Sequence, residues 1–239
     1  MTAPLSINAL WRETFATGRA GMGLYLPVAA AFVLLPNVLT EAFGPALPKT
    51  AADLTGPVVL VHLALPSLVG LIAQMTIVRL AVASRTGVSR SVGEALGLSL
   101  RWWPVLVIAT LLAAVPTAAG LLLLILPGLY MAGRLAMVLP LVVEEGAGGV
   151  DAVRRSWALT EGNGLRIIGF ALMWVGWFLA LSVLAAGVGS GIGSVLTLAG
   201  AGTVGAFVVS LLGALVAAVY TVFSAVGVAT IYLHLRGKV

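Results

Sequence analysis

Arg134 is the residue best placed to do chemistry in this sequence, because it lies inside an apolar run. A charge near a bilayer centre costs ~2.5–3.5 kcal/mol on insertion scales, so such a residue usually faces a bundle interior or water. Guanidinium offers phosphate a bidentate fork, which makes Arg134 a candidate contact for an anion or a lipid phosphate. The structural alternative is that it binds carbonyls freed near Pro127 or Pro140, or reaches outward to the interface. Arg154 and Arg155, in the run Arg154-Arg155-Ser156-Trp157, are further candidates for gripping anionic headgroups or for simple anchoring. Near a membrane surface each basic residue contributes roughly 1 kcal/mol.

The other polar residues point to local roles. Glu144 and Glu145 are adjacent, and neighbours on a helix point about 100° apart, so they do not converge as an acid–base or metal pair. Glu145 is expected to cap the next helix or to pair with Arg154 or Arg155. Ser156, Trp157 and Asn163 are candidate structural polar positions, with Asn163-Gly164 reading as a helix stop. His62 and His234 have no carboxylate or thiol neighbours in sequence, and cysteine is absent, so no metal site is expected. No serine sits in a nucleophile-elbow pattern. The glycine-rich run 187–193 lacks the strand and the Lys-Ser/Thr of a phosphate loop. It reads as a turn or a short re-entrant helix. Gln74, Asn37 and Ser67 read as interhelical hydrogen-bond partners.

These residues must be positioned by membrane helices. The chain of 239 residues is 61% hydrophobic and 9% charged, with a mean hydropathy of +1.14. Soluble domains carry about 25% charged residues, so this composition cannot cover a water-facing surface. The apolar runs are about 20 residues long without alternation, which selects helices over a barrel. Six spans are expected: Met22 to Thr40, Pro57 to Ala83, one starting at Pro104, its hairpin partner ending near Val143, Gly164 to Ala186, and Val204 to Leu233. Pro127-Gly128 is the expected tight turn of the central hairpin. No convincing signal peptide is present.

Net charge is +5, and its distribution sets the expected topology. Eleven of the thirteen basic residues flank the even-numbered connections or the termini; the exceptions are Lys49 and Arg134. The positive-inside rule then places both termini in the cytoplasm. This explains the basic balance without nucleic acid.

The basic connections also resemble one another. At 100° per residue, Ile7, Leu10, Trp11, Thr14 and Phe15 share one face, opposite Arg12, Ala16 and Arg19. Val92, Ala95, Leu96, Ser99 and Trp103 share another, as do Val150, Val153, Trp157 and Thr160. Glu94-Ala95-Leu96 with Ser99 matches Asp151-Ala152-Val153 with Ser156. The reading is one integral membrane domain over 1–239. It contains three units, about 1–83, 84–143 and 144–239, each an amphipathic interfacial helix leading a transmembrane hairpin.

The stretch 126–163 carries a family resemblance. Leu126-Pro127-Gly128, Arg134, Pro140, Glu145-Gly146, Ala152, Arg154-Arg155-Ser156-Trp157, Leu159-Thr160 and Gly162 form the pattern. It resembles the membrane domain found beside glycerophosphodiester phosphodiesterase domains, and related small bacterial inner-membrane proteins. The resemblance implies an all-α inner-membrane module without established activity. The residues outside the membrane are too few for a barrel of about 250 residues, so phosphodiesterase chemistry is not expected of them. The expected function is a non-catalytic scaffold, subunit or lipid-interacting accessory, without cofactors. Its expected partners are membrane lipids, anionic headgroups among them, and a membrane protein. The alternative is a small transporter or channel for an anion or a lipid-like solute.

Overall fold

The computed structural model describes residues 5–45 and 56–237. Lys49, Lys238 and most of the expected Glu41–Gly56 loop lie outside them. Among the described residues the chain is all helical, and six helices are long and apolar enough to cross a membrane. In chain order the helices are α1 (Ile7–Ala20), α2 (Met22–Phe43), α3 (Gly56–Thr86), α4 (Val92–Leu123), α5 (Ile125–Leu135), α6 (Val138–Glu145), α7 (Gly149–Leu159), α8 (Gly164–Leu198) and α9 (Gly202–Leu235). Helices α5 and α6 together make the fourth span, Ile125–Glu145.

Prolines explain most of the irregularities. Proline has no N–H and its ring collides with the carbonyl four residues earlier. In α2 the turns over Ala30–Leu34 widen to a π-helix that ends two residues before Pro36, and Leu35 N–H reaches back five residues to Ala30 O. In α3 the same device covers Leu60–Ala64 ahead of Pro66, with Leu65 N–H bonded to Leu60 O. A wider turn gives the ring room without breaking the helix. Pro140 acts more strongly, and the helix stops at Ala136–Met137, three to four residues before it, dividing α5 from α6.

Three expectations need correction. The connector helix 91–103 and the span expected from Pro104 are one continuous helix, α4. A Ser91–Glu94 capping box starts it. The apolar run past Pro104 contains no glycine before Gly120 that would stop it. The turn of the central hairpin is at Leu124, whose extended backbone (φ −158°, ψ 140°) separates α4 from α5. Pro127 instead lies in the first turn of α5, where its missing N–H costs nothing. Gly128 lets the two helices touch, since a Cβ there would sit 2.5 Å from the Leu121 nitrogen. Finally, the glycine-rich run 187–193 is neither turn nor re-entrant helix. It continues α8 to Leu198, and the turn follows at Gly200, where φ is +80°.

Contacts group the chain into two units, each assembled from several segments. The first comprises Met1–Tyr25, Gln74–Trp174 and Phe223–Val239. Within it α4 packs on α5, α6 and α7, and α6 packs on α7. An aromatic cluster joins α1 to α8 and α9: Trp11 and Phe15 lie 4.6 and 5.6 Å from the Trp174 ring, and Trp174 stacks 5.8 Å from Phe223. Leu10 and Thr14 of α1 are buried, whereas Arg12, Ala16 and Arg19 are exposed. Ala95 and Ser99 of α4 and Ala152 and Ser156 of α7 are likewise fully buried at the same spacing of four. In α7 this departs from the expected face. Val150 is exposed, and the helix packs through its small residues because only they permit close approach.

The second unit comprises Leu26–Ala73 and Val175–Val222 and holds both π-helical turns. Asn37, expected to bond across helices, donates to Val33 O of its own helix at 2.7 Å. Here α8 and α9 meet at Gly193 and Gly205. A Cβ on Gly205 would lie 2.9 Å from Gly193 O, a rigid backbone atom. Gly205→Ala should therefore push the helices apart and lower stability by about 1–2 kcal/mol. Thermal unfolding in detergent reads this directly, and an unchanged midpoint would contradict the close packing.

Candidate functional site

The break between α5 and α6 strands an Arg134 carbonyl and a Met137 N–H inside the protein. Buried backbone groups of this kind need partners. Ser156 of α7 supplies both: its hydroxyl donates to Arg134 O at 2.8 Å and accepts from Met137 N at 3.2 Å. Thr160, one turn later, places its hydroxyl 3.0 Å from the same Arg134 oxygen. Both side chains are fully buried.

Arg134 reciprocates at the other end of the contact. Its guanidinium donates to Trp157 O at 2.7 Å and to Thr160 O at 3.4 Å, carbonyls at the C-terminal end of α7. A cation at that end also meets the negative pole of the helix dipole. The Trp157 ring covers the guanidinium at 4.6 Å and Tyr130 flanks it at 5.8 Å. The residue is 6% exposed. Arg134, Ser156, Trp157 and Thr160 thus form one clasp between a broken span and a short helix. The close neighbours are glycines for steric reasons: a Cβ on Gly133 would meet Gly164 O at 2.9 Å, and one on Gly164 would meet Arg134 Cδ at 3.1 Å. Asn163, just before Gly164, accepts from Leu5 N at 3.3 Å and so ties down the segment ahead of α1.

A second cluster gathers at the end of α6. Gly146 stops that helix in a left-handed turn (φ +63°), with Ala147 N–H bonded to Leu141 O in a Schellman arrangement. The two carboxylates before it diverge. Glu145 accepts from Arg155 of α7, from Arg236, and from the Tyr232 hydroxyl at 2.7 Å. Glu144 faces Arg90 at 3.5 Å. Arg155 also reaches Asp151 at 3.4 Å. Arg154 is exposed and makes no ion pair among the described residues. A third cluster joins Glu13 of α1 to Arg85 at 2.8 Å and to His234 at 3.5 Å. His62 lies in the other unit, 2.7 Å from Pro45 O.

Sequence distance hid several of these residues. Tyr232 and Arg236 are 87 and 91 positions from Glu145, and no local pattern links them. Arg79, grouped with the basic residues flanking a connection, is buried at 5% exposure. Among the described residues, no three of His, Cys, Asp and Glu converge as metal ligands.

The family model described as the membrane domain of glycerophosphoryl diester phosphodiesterase matches residues 104–236, more than half of the chain. The match runs from within α4 through the Arg134 clasp and the Glu145 cluster to Arg236. No curated protein and no solved structure matched the chain.

Proposed function

The chain belongs to the family of the membrane domain of glycerophosphoryl diester phosphodiesterase, and from this premise we propose a non-catalytic membrane module that engages anionic lipid headgroups. It acts as a scaffold, subunit or accessory protein in a bacterial inner membrane, with both termini cytoplasmic.

One observation carries this reading. All eleven arginines lie in one unit, and in the other the sole charged side chain among the described residues is Glu41. Such segregation of charge into one unit is what the positive-inside rule selects for segments that face the cytoplasm. Arg12, Arg19, Arg101 and Arg154 are exposed and make no ion pair among the described residues. They are free to meet lipid phosphates.

Several carboxylates are engaged within the chain. Glu13, Glu94, Glu144, Glu145 and Asp151 are each held by an arginine or a helix cap. The alternative of an anion transporter is less favoured, because two carbonyls take part of the Arg134 guanidinium.

The test is lipid composition around the protein. Extracted with its surrounding lipid, the chain should carry anionic lipid above the bulk fraction. Replacing Arg12, Arg19, Arg101 and Arg154 together with glutamine should return that fraction to bulk. Enrichment that survives all four substitutions would remove the basis for this reading.

A further inference from the structure

Arg79 is the charged residue in the first unit that the clasp and the ion pairs do not account for. It lies seven residues before the end of α3, so it is about 10 Å along the helix from Thr86. Its Nε is buried and has no hydrogen-bond partner. Glu144 and Arg90 are the charges within electrostatic reach. Arg90 sits in the exposed connection after Gly87 and has a half-buried side chain, but its Nη1 is buried and likewise without a hydrogen bond. The Glu144 carboxylate is 3.5 Å from that Nη1, longer than the roughly 2.7–2.9 Å of a charge-assisted hydrogen bond.

Two guanidiniums therefore share one carboxylate in a buried setting. Glu144 offsets one of the two charges, and the remaining positive charge, with the Arg79 Nε that has no hydrogen bond, carries a desolvation cost. Groups of this kind in native structures usually mark an ion or water that completes them. A tetrahedral oxyanion fits best, because it presents several acceptors to forked donors and cancels the excess charge.

We propose that Arg79 and Arg90 form a binding site for one phosphate group, which enters past Arg90 from the arginine-rich end of the protein. The proposal rests on the reading that this end faces anionic lipids, and it adds a specific inner site to that surface. Its depth of one to two helical turns suits the phosphate of a lipid headgroup, and free phosphate offers the same chemistry.

Native mass spectrometry of the full chain in mild detergent tests this, with phosphatidylglycerol, phosphatidylcholine and inorganic phosphate as probes. One phosphatidylglycerol per chain should persist under activation that strips the others. Arg79→Met should weaken its retention roughly tenfold, as expected for loss of a charge-assisted contact. Arg90→Gln should have a similar effect, and its position in an exposed connection lets the protein keep its fold. Displacement of the lipid by millimolar phosphate would identify free phosphate as a ligand of the same site, and resistance would identify the lipid. Equal retention in Arg90→Gln, Arg79→Met and the unaltered protein would overturn the proposal. The fourfold surface variant should lose only weakly held lipids. If it does so while the Arg90 and Arg79 variants change nothing, the inner site fails and the surface reading stands. If Arg90→Gln releases the tight lipid while the surface variant changes nothing, the surface reading fails alone.

Discussion

Arg134→Met should destabilise the protein by about 3 kcal/mol, measured as the unfolding free energy in detergent. Two hydrogen bonds from a charged group are worth about 1.5–3 kcal/mol each, and the aromatic cover adds about 0.5–2 kcal/mol. Relief of burying the guanidinium returns part of that sum. Methionine fills much of the volume, so the loss reports the polar contacts and not a cavity. The carbonyls of Trp157 and Thr160 would lose their charged donor and keep only the Thr160 hydroxyl and the Asn163 N–H, respectively. Arg134→Lys is the informative companion. A single ammonium cannot span both carbonyls as a planar fork does, so lysine should recover less than half of the loss. Full stability in the lysine variant would mean that charge alone matters and would contradict the clasp. Ser156 ties the other side of the same contact, and its hydroxyl has both a donor and an acceptor role there.

Glu145→Ala is the second large effect, expected at about 2–3 kcal/mol in the same measurement. One carboxylate serves Arg155, Arg236 and the Tyr232 hydroxyl, so its removal frees three donors at once. The two arginines are partly exposed and can turn to water, which limits their share. Tyr232 is 1% exposed and cannot, so most of the cost comes from its stranded hydroxyl. The combined change Glu145→Ala with Tyr232→Phe should therefore be less damaging than the two single effects added together. Strict additivity in that cycle would show that the two groups are not coupled. Loss of the Arg236 contact should also loosen the end of α9, which limited proteolysis near the C-terminus would detect.

The family pattern gains a physical meaning from these contacts. Pro140 breaks the fourth span, Ser156 and Thr160 satisfy the break, Arg134 and Trp157 close the contact, and Glu145-Gly146 ends α6 where Arg155 can reach it.

The six candidate spans and the helical class could be read directly from residue order. Hydropathy over 20 residues and the placement of arginines are local quantities, and lipid as solvent leaves the backbone little choice but to form helices. Glycine and proline were harder to read. Gly187–Gly193 suggested a turn, yet a membrane helix tolerates small residues, and there Gly193 serves close packing against Gly205. Pro127 suggested the hairpin turn, but the chain reverses at Leu124 and uses the proline in a first turn. The pairing of Glu145 with Arg155 was readable from the nearby arginines, but most partners of charged residues were beyond local reading. Arg134 meets carbonyls 23 and 26 positions away, Glu145 meets side chains 87 and 91 away, and Arg79, grouped with the basic residues flanking a connection, is buried among buried neighbours. Which face of a helix turns inward, and which carbonyl comes within 3 Å of a guanidinium, depends on the packing of several helices at once. That information is absent from any single segment, so Arg134 stood out as the charge that topology could not explain, and the packing of α5, α6 and α7 turned it into the lock of a broken helix.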